Sequence, residues 1–430
     1  MVDIGVISFI VFIAAIALIL YLKRNQLEFQ GIIALTRTKK LRNYIYQLGG
    51  DYSGFWKIYF NIGIVATLIL MVIGIYYMAS MTLGVLSGSV TPAFGLVIPY
   101  PTSEISYSSG FLKVPVWLWL IAIPFVLIPH ELSHGLALAA NKLRIKSLGL
   151  LVLLFIPGAF VEPDEKQLKK TGKLQRLQVY CAGSFSNIVT GLILILVSYL
   201  FLFAFYNSSN IYYNYPASSI NQTDIISNLS LSNGIIELQT SNATYLTTQA
   251  LMDKQQNKTT IIVLNNLPAA RNNLSGILQK IGNTTILVPK DVASALSNYK
   301  PGDTVIVKTS TGLYNLTLAD NNGSAYIGIL ISQVDPLSQK NIMVSLFAPK
   351  NARPYEAKFS IFEPIGNFIL QAMSFTIAIC IGVALFNMLP MKPLDGGAVF
   401  EAVTNSTIAN IASVLILITI LINFGAAFFG

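Results

Sequence analysis

Long apolar segments alternate with shorter polar ones along most of the 430-residue chain. Six of them carry few or no charges and are about as long as the roughly 20 residues that a helix needs to cross a bilayer: residues 4–22, 58–80, 114–141, 178–206, 365–389 and 408–428. A seventh, 146–163, is too short for a simple span and is broken at Pro157-Gly158, which favours a hairpin or re-entrant segment. The pattern predicts a polytopic α-helical membrane protein with about six transmembrane helices and a re-entrant β-hairpin.

One long polar insertion, residues 207–359, interrupts this pattern. It is rich in Asn, Ser and Thr and contains strand-like runs, so we expect a separate α+β domain. Nine Asn-x-Ser/Thr sequons, against about four expected by chance, predict that it is extracytoplasmic and glycosylated: Asn207, Asn221, Asn228, Asn242, Asn257, Asn273, Asn283, Asn315 and Asn322. The chain then divides into an N-terminal two-span extension with an external loop (1–112), the first half of a core (113–206), this insertion, and the second half of the core (360–430).

Basic residues between the apolar segments predict the orientation. Those between the first two segments and those on either side of 146–163 belong in the cytoplasm by the positive-inside rule. Residues 81–112 contain no Lys or Arg, as expected of an outside loop. Both termini and the insertion are then extracytoplasmic in a multi-pass cell-membrane protein. A tenth sequon, at Asn405, would face the cytoplasm, and we expect no glycan there.

Composition supports the membrane interpretation. Hydrophobic residues make up 53% of the chain and charged residues 11%, whereas soluble proteins contain about 25% charged residues. The net charge of +9 does not indicate nucleic-acid binding, because the basic residues outside the insertion lie beside apolar segments. Cys181 and Cys380 lie in separate apolar segments, which argues against a disulfide framework or a cysteine metal site and favours packing roles.

The chain has only two histidines, His130 and His134, and Glu131 lies between them. Residues i and i+4 share one face of a helix, so two imidazoles of an H-E-x-x-H motif can hold one zinc ion, with Glu131 as the general base. Zinc supplies a hydroxide nucleophile near neutral pH. Ionisable groups are expensive to bury in an apolar segment, which favours a functional role over packing. The motif precedes Lys142 by about 12–18 Å of helix, which predicts a site in the cytoplasmic half of the bilayer.

A catalytic zinc site usually has three protein ligands, and no histidine remains, so a carboxylate is expected. Asp395 is the strongest candidate because it follows the fifth apolar segment on the same membrane side. Glu401 is an alternative, although a carboxylate at a helix start also suits the helix dipole. Four other carboxylates fit less well, because they adjoin a basic run or lie at the external end of a segment: Glu162, Asp164, Glu165 and Glu363.

Together these motifs resemble the site-2 protease family of intramembrane zinc metalloproteases. The resemblance rests on four stretches: HELSH at 130–134, IPGAFVEP at 156–163, AGSFSN at 182–187 and NMLPMKPLDGG at 387–397. It implies one catalytic zinc ion bound by His130, His134 and Asp395, with Glu131 as the general base. It also implies a metalloendopeptidase (EC 3.4.24 type) that cleaves transmembrane segments of membrane-anchored substrates in regulated intramembrane proteolysis.

The likeness covers roughly 116–206 and 365–428. By this likeness Asn187 and Asn387 contact the substrate or the developing oxyanion, although Asn in a helix also serves as an interhelical hydrogen bonder. The resemblance also implies that substrates are often first cut outside the membrane by another protease. Expected partners are therefore transmembrane protein substrates, the lipid bilayer and a first-cutting protease, with no nucleic acid.

The insertion resembles, at 290–308 and 325–329, the PDZ-like modules that several family members carry there. This implies substrate recruitment or filtering; an inert glycosylated cover is the alternative. The hairpin is expected to receive the opened substrate as an added strand, or else to act as a plug without substrate contact.

The rival function is a proteolytically inactive membrane scaffold that binds client helices or peptides through the external domain, but such a protein would be free to lose Glu131. A transporter would show internal repeats, which the sequence lacks.

Overall fold

The structure is a computed structural model. It describes residues 4–30, 33–38, 41–88, 96–102, 105–108, 111–153, 156–208, 211–231, 234–253, 255, 259–333 and 355–429. The chain forms two compact units, one of Met1–Val197 with Ala372–Gly430 and one of Ser198–Gln371. The second unit is longer at both ends than the predicted insertion 207–359, because it takes in the adjoining ends of two long helices. The sequon at Asn257 lies outside the described residues.

Six long helices are the main elements of the chain: α1 (Ile4–Lys23), α3 (Ser53–Leu86), α4 (Val116–Ala140), α6 (Lys173–Phe205), α10 (Glu363–Asn387) and α12 (Ser406–Phe429). Each contains an apolar stretch long enough to cross a membrane, so the prediction of six such helices is confirmed for the described residues. Large apolar side chains are exposed on them, for example Ile62, Val72 and Tyr76 on α3 at 59%, 66% and 73%. Exposed apolar side chains on helices of this length are typical of helices that lie in a membrane.

Shorter elements of the first unit connect these helices. They are α2 (Arg42–Asp51), α5 (Glu165–Lys170), α11 (Asp395–Val403) and a 3₁₀ turn at Arg24–Gln26. α5 begins where the Asp164 carboxylate accepts a hydrogen bond from the backbone amide of Gln167 at 3.1 Å, which caps the helix N-terminus. In the segment expected to be an external loop, three strands form a sheet in the order β3-β5-β4: β3 (Leu96–Tyr100), β4 (Ser106–Ser108) and β5 (Phe111–Pro115).

α4 carries both histidines and contains two internal prolines, Pro124 and Pro129. Proline has no N–H, so Pro129 leaves the Phe125 carbonyl without its usual helical donor. The buried Cys380 thiol of α10 lies 3.9 Å from that carbonyl oxygen and can donate to it. The cysteine therefore replaces part of the lost helical bonding and ties α10 to α4.

A four-stranded antiparallel sheet packs against α4, in the order β1-β2-β6-β7. Its strands are β1 (Leu27–Gln30), β2 (Ile33–Thr38), β6 (Ile145–Leu153) and β7 (Ile156–Pro163). β6 and β7 lie in the segment expected to be a hairpin, and they pair from Ile145↔Pro163 to Leu153↔Ile156. The pairing of β2 with β6 was not predicted, because no local pattern links segments about a hundred residues apart. It leaves β7 as the edge strand next to α4.

The second unit has both α and β elements. Its helices are α7 (Gln249–Asp253), α8 (Pro268–Arg271) and α9 (Pro289–Leu296), with 3₁₀ turns at Gln222–Asp224 and Ser360–Phe362. Its strands are β8 (Tyr206–Ser208), β9 (Ile211–Asn214), β10 (Ala217–Asn221), β11 (Ile225–Ser230), β12 (Ile235–Thr240), β13 (Thr244–Thr248), β14 (Thr260–Asn265), β15 (Leu278–Ile281), β16 (Thr284–Thr285), β17 (Thr304–Thr309), β18 (Leu313–Thr317), β19 (Ala319–Asn321), β20 (Ser324–Tyr326), β21 (Leu330–Gln333) and β22 (Tyr355–Ala357).

The larger sheets of this unit have the orders β10-β14-β13-β12-β11 and β16-β15-β17-β18. Their strands show the alternation of buried and exposed residues that is typical of a sheet with one buried face: on β17, Val305 and Val307 are buried while Thr304, Ile306 and Lys308 are exposed. Asp291 in the first turn of α9 accepts hydrogen bonds from the backbone amides of Leu287 and Val288, which lowers the pKa of its carboxyl. All eight described sequon asparagines of this unit are exposed.

Candidate metal centre

Two imidazoles on one face of α4 form the first half of the site. His130 and His134 are four residues apart, so one lies above the other, and their Nε2 atoms are 3.3 Å apart. His130 is buried, with 7% of its surface exposed, and His134 is half-buried. Their Nδ1 atoms are engaged elsewhere, at 2.8 Å from the Val179 carbonyl oxygen for His134 and 3.2 Å from Asn187 Nδ2 for His130. Both Nε2 atoms therefore face a common space.

Asp395 brings the third group to this space. Its Oδ2 lies 3.3 Å from His130 Nε2 and 3.4 Å from His134 Nε2, and ligand atoms of the three residues all lie within 4.8 Å of one another. Oδ2 is buried and makes no well-directed hydrogen bond to a described residue. Three electron-rich atoms facing one space repel each other unless a cation or proton lies among them. Two imidazole nitrogens and a carboxylate oxygen are a catalytic zinc ligand set, so these residues fit a zinc ion.

The turn between α10 and α11 carries Asp395 to the histidines. A Cβ atom on Gly396 would lie 2.3 Å from the Met388 carbonyl oxygen, so a glycine is required where the chain folds back on itself. Lys392, within the turn, forms an ion pair of 2.8 Å with Glu401. The hydrogen bond from Lys392 lowers the pKa of Glu401. Glu401, the alternative third ligand, is thus engaged outside the metal group.

α6 contacts the histidines through a residue that has no side chain. A Cβ atom on Gly183 would lie 2.4 Å from His134 Nε2 and 2.5 Å from His130 Nε2. Val179, Gly183 and Asn187 are spaced by four residues, so they form one stripe along α6. Along this stripe, the Val179 carbonyl faces His134 and the Asn187 amide faces His130. Gly183, between them, leaves space next to the two Nε2 atoms.

Glu131 follows His130 on α4 and is directed toward β7. Its Oε2 accepts a hydrogen bond of 2.9 Å from the backbone amide of Val161. The side chain is half-buried, and it is held by the strand rather than by a ligand of the metal group. The bond to Val161 positions the carboxylate through Oε2 and leaves Oε1 available. A carboxylate held in this way beside two imidazoles can serve as a base.

The two asparagines singled out by sequence both approach His130, on different ring nitrogens. Asn387 Nδ2, at the end of α10, lies 3.5 Å from His130 Nε2. Asn187 Nδ2 lies 3.2 Å from His130 Nδ1. Asn387 is therefore on the side of the ligand atoms, and Asn187 is on the other side of the imidazole ring.

Glu162 of β7 belongs to an ion-pair network that joins the strands of the sheet. It accepts hydrogen bonds of 2.5 Å from Lys146 and from the Ser147 hydroxyl, and it pairs with Arg37 of β2. Burial alone raises the pKa of Glu162, but the two hydrogen bonds and the charge of Arg37 outweigh it and lower the pKa overall. Glu162 takes no part in the metal group.

Comparison with known proteins assigns the chain to a family. The sequence model of peptidase family M50 matches residues 118–426. The chain belongs to peptidase family M50. This confirms the resemblance to the site-2 protease family, and the match contains every site residue predicted from sequence.

Two relatives of this M50 protein show how far the likeness extends. A membrane-bound transcription factor site-2 protease homolog from Arabidopsis thaliana is 30% identical over 149 residues, which are 34% of this chain and 27% of that protein. An uncharacterized protein from Methanocaldococcus jannaschii is 29% identical over 189 residues, 42% of this chain and 48% of that protein. The chain matches less than half the length of either relative.

Sequence reasoning missed two contacts of the candidate site. The role of Gly183 could have been found from the spacing Val179–Gly183–Asn187 opposite a histidine pair with the same spacing. The bond between Glu131 and Val161 had no comparable pattern, because it joins a helix to a strand whose relative placement depends on the whole unit.

Proposed function

We propose that this protein is an intramembrane zinc metalloendopeptidase that cleaves transmembrane segments of membrane-anchored substrates. The observation that carries the proposal is the convergence of His130, His134 and Asp395, with Glu131 adjoining them on a helix apolar enough to lie in a membrane. Membership of peptidase family M50 supports a metalloprotease of this kind.

The site residues divide the chemistry among themselves. Zinc held by His130, His134 and Asp395 would supply a Lewis acid that polarises the scissile carbonyl and acidifies water. Glu131 would take a proton from water as the water oxygen bonds to the carbonyl carbon. It would return that proton to the amide nitrogen as the C–N bond breaks, giving a carboxylic acid and an amine. The Asn387 amide, on the ligand side of His130, is placed to donate to the developing oxyanion.

The test uses the full chain reconstituted into vesicles with a labelled single-span substrate. Wild type should cleave the substrate, and Glu131→Gln should lose about 10²- to 10⁴-fold in rate because the general base is gone. Both proteins should contain one zinc ion, and a chelator should abolish wild-type cleavage until zinc is restored. Equal cleavage by Glu131→Gln would refute the mechanism. Zinc binding by a wild type that cleaves no substrate would instead favour the scaffold.

We propose further that the substrate adds as an extended strand to the edge of β7 that does not pair with β6. β2 and β7 cover the two sides of β6, so β7 presents the available edge. Backbone groups alternate between the two sides of a strand, so Ala159 directs its N–H to the same side as Val161, toward Glu131. An added strand would then lie beside the general base. It would also compete for the Val161 amide and so free the Glu131 carboxylate for proton transfer.

A proline at Ala159 tests this edge. Ala159→Pro removes an N–H that faces away from β6, so the pairing of β6 with β7 should survive while strand addition weakens. Ala159→Val keeps the N–H and adds similar bulk, and it is the matched control. We expect a higher KM for the transmembrane substrate in the proline variant only, with zinc content unchanged. Equal KM values for the two variants would rule out strand addition at this edge.

The second unit is proposed to be an extracytoplasmic, glycosylated, PDZ-like domain that recruits or filters substrates, after a first protease has trimmed them. The exposed sequons support glycosylation, and the order of α9, a turn, β17 and β18 supports a PDZ-like arrangement. The charge pattern supports both termini outside and the metal centre in the cytoplasmic half of the membrane. Mapping glycans by mass spectrometry tests this topology.

A further inference from the structure

Asn187 is enclosed beside the metal centre and is only partly satisfied there. Its surface is 0% exposed, and its Nδ2 lies 3.2 Å from His130 Nδ1. Its Oδ1 is also buried and has no hydrogen-bond partner among the described residues. A buried amide oxygen without a hydrogen-bond partner destabilises the folded protein. Its presence in a native structure therefore calls for an explanation, such as a function.

His134 shows what a zinc-binding histidine requires at this site. The Val179 carbonyl oxygen, 2.8 Å from His134 Nδ1, can only accept a hydrogen bond. His134 Nδ1 must therefore carry a proton, and in the neutral ring Nε2 then has a lone pair directed at the metal group. The backbone of α6 thus determines the tautomer of one histidine.

His130 requires the same tautomer, since its Nε2 faces the same space as that of His134. A proton on His130 Nδ1 cannot be accepted by an amide nitrogen, because both groups are donors. A rotation of the Asn187 amide by 180° exchanges its nitrogen and oxygen and places Oδ1 against that proton. The recorded orientation leaves Oδ1 unpaired, whereas the rotated one pairs Oδ1 with the proton, so a proton on Nδ1 favours the rotated orientation.

We infer that Asn187 is a positioning residue for the metal centre: with zinc bound, its Oδ1 accepts the Nδ1 proton of His130 and holds the ring with Nε2 toward the metal. This inference rests on the proposed zinc site, though not on proteolysis. It differs from the role that the family resemblance implied, contact with substrate or oxyanion. Asn187 lies across the imidazole ring from the ligand atoms, whereas Asn387 lies on their side. α6 would then orient both histidines, through Val179 and Asn187.

The experiment measures zinc affinity by chelator competition in the full-length protein, and kcat and KM at saturating zinc. Asn187→Leu removes the acceptor at similar size, and Asn187→Asp keeps an acceptor but no donor. Asn423→Leu is the matched control, because Asn423 is also 0% exposed on a long helix, donates to Thr82 at 2.7 Å and has an unpartnered Oδ1. Thermal unfolding of each variant accompanies the titrations.

We expect Asn187→Leu to bind zinc about 10- to 100-fold more weakly, the usual effect of losing a partner that orients a ligand. Asn187→Asp should bind zinc at least as tightly as wild type, and Asn423→Leu should bind like wild type. At saturating zinc the kcat of Asn187→Asp should stay within about tenfold of the wild-type kcat. The loss of an oxyanion donor would instead lower kcat by about 10²- to 10³-fold.

Four outcomes separate this inference from the proposed function. Wild-type zinc affinity in Asn187→Leu, or a large loss of kcat in Asn187→Asp with zinc bound, would overturn the positioning role alone. If Asn187→Leu does not fold, the Asn187→Asp result decides by itself. Zinc binding without cleavage by wild type would overturn the proposed function alone. A wild type that binds no zinc would overturn both.

Discussion

Gly183→Ala places a single methyl group at the centre of the proposed zinc site. The new Cβ would lie 2.4 and 2.5 Å from the Nε2 atoms of His134 and His130. Ordinary carbon–nitrogen contacts are about 3.4 Å or longer, so the imidazole rings, or the helices that carry them, must shift by roughly 1 Å. Zinc ligands tolerate about 0.2 Å of misplacement. Overpacking of this kind costs ~1–3 kcal/mol. If that cost is taken from metal binding, zinc affinity falls about 5- to 150-fold.

The assay is chelator competition with purified protein, followed by cleavage at saturating zinc. Gly191→Ala is the matched control on the same helix, because the nearest contact of its Cβ would be the flexible end of Ile381, at 3.0 Å, and the next residue, Cys380, would lie at an ordinary 3.7 Å. We expect Gly183→Ala to lose zinc affinity and cleavage while Gly191→Ala keeps both, and both variants should retain their helix content. Wild-type zinc affinity in Gly183→Ala would show that the gap opposite Gly183 is not where the metal binds.

Three further predictions concern other parts of the chain. Gly396→Ala should displace Asp395 and weaken zinc binding without loss of helix content; unchanged zinc affinity would argue against Asp395 as a ligand. Arg37→Leu should lower the melting temperature slightly near pH 7. Because the pKa of Glu162 is lowered in the folded protein, that stabilisation is present above the ordinary value near 4.5 and is lost as the pH falls through the lowered pKa. The difference from wild type should therefore shrink in acid, and a difference that grows there would contradict the ion-pair network. Asn228→Gln should remove glycan mass and Asn405→Gln should not; a glycan on Asn405 would overturn the topology.

The main features of the first unit could be predicted from sequence because they depend on local chemistry. A helix in lipid must be apolar on most of its faces over about 20 residues, and such segments are visible in the sequence without any tertiary information. The spacing of His130 and His134 likewise predicts two imidazoles on one helix face. Asp395 could be singled out by elimination, since His130 and His134 are the only histidines and few carboxylates lie on the membrane side that the charge pattern predicts for them.

Other features depend on how distant segments approach one another. The pairing of β2 with β6 joins two stretches whose sequences show only that each can be a strand. The need for glycine at position 183 arises only because α6 crosses α4 at the histidines, and the bond from Val161 to Glu131 exists only because β7 lies against that helix. Sequence alone therefore determined which residues could hold a metal and which segments could lie in lipid. The tertiary structure decided the distances between them, because close packing, unlike hydrophobicity or helical spacing, is a property of pairs of segments.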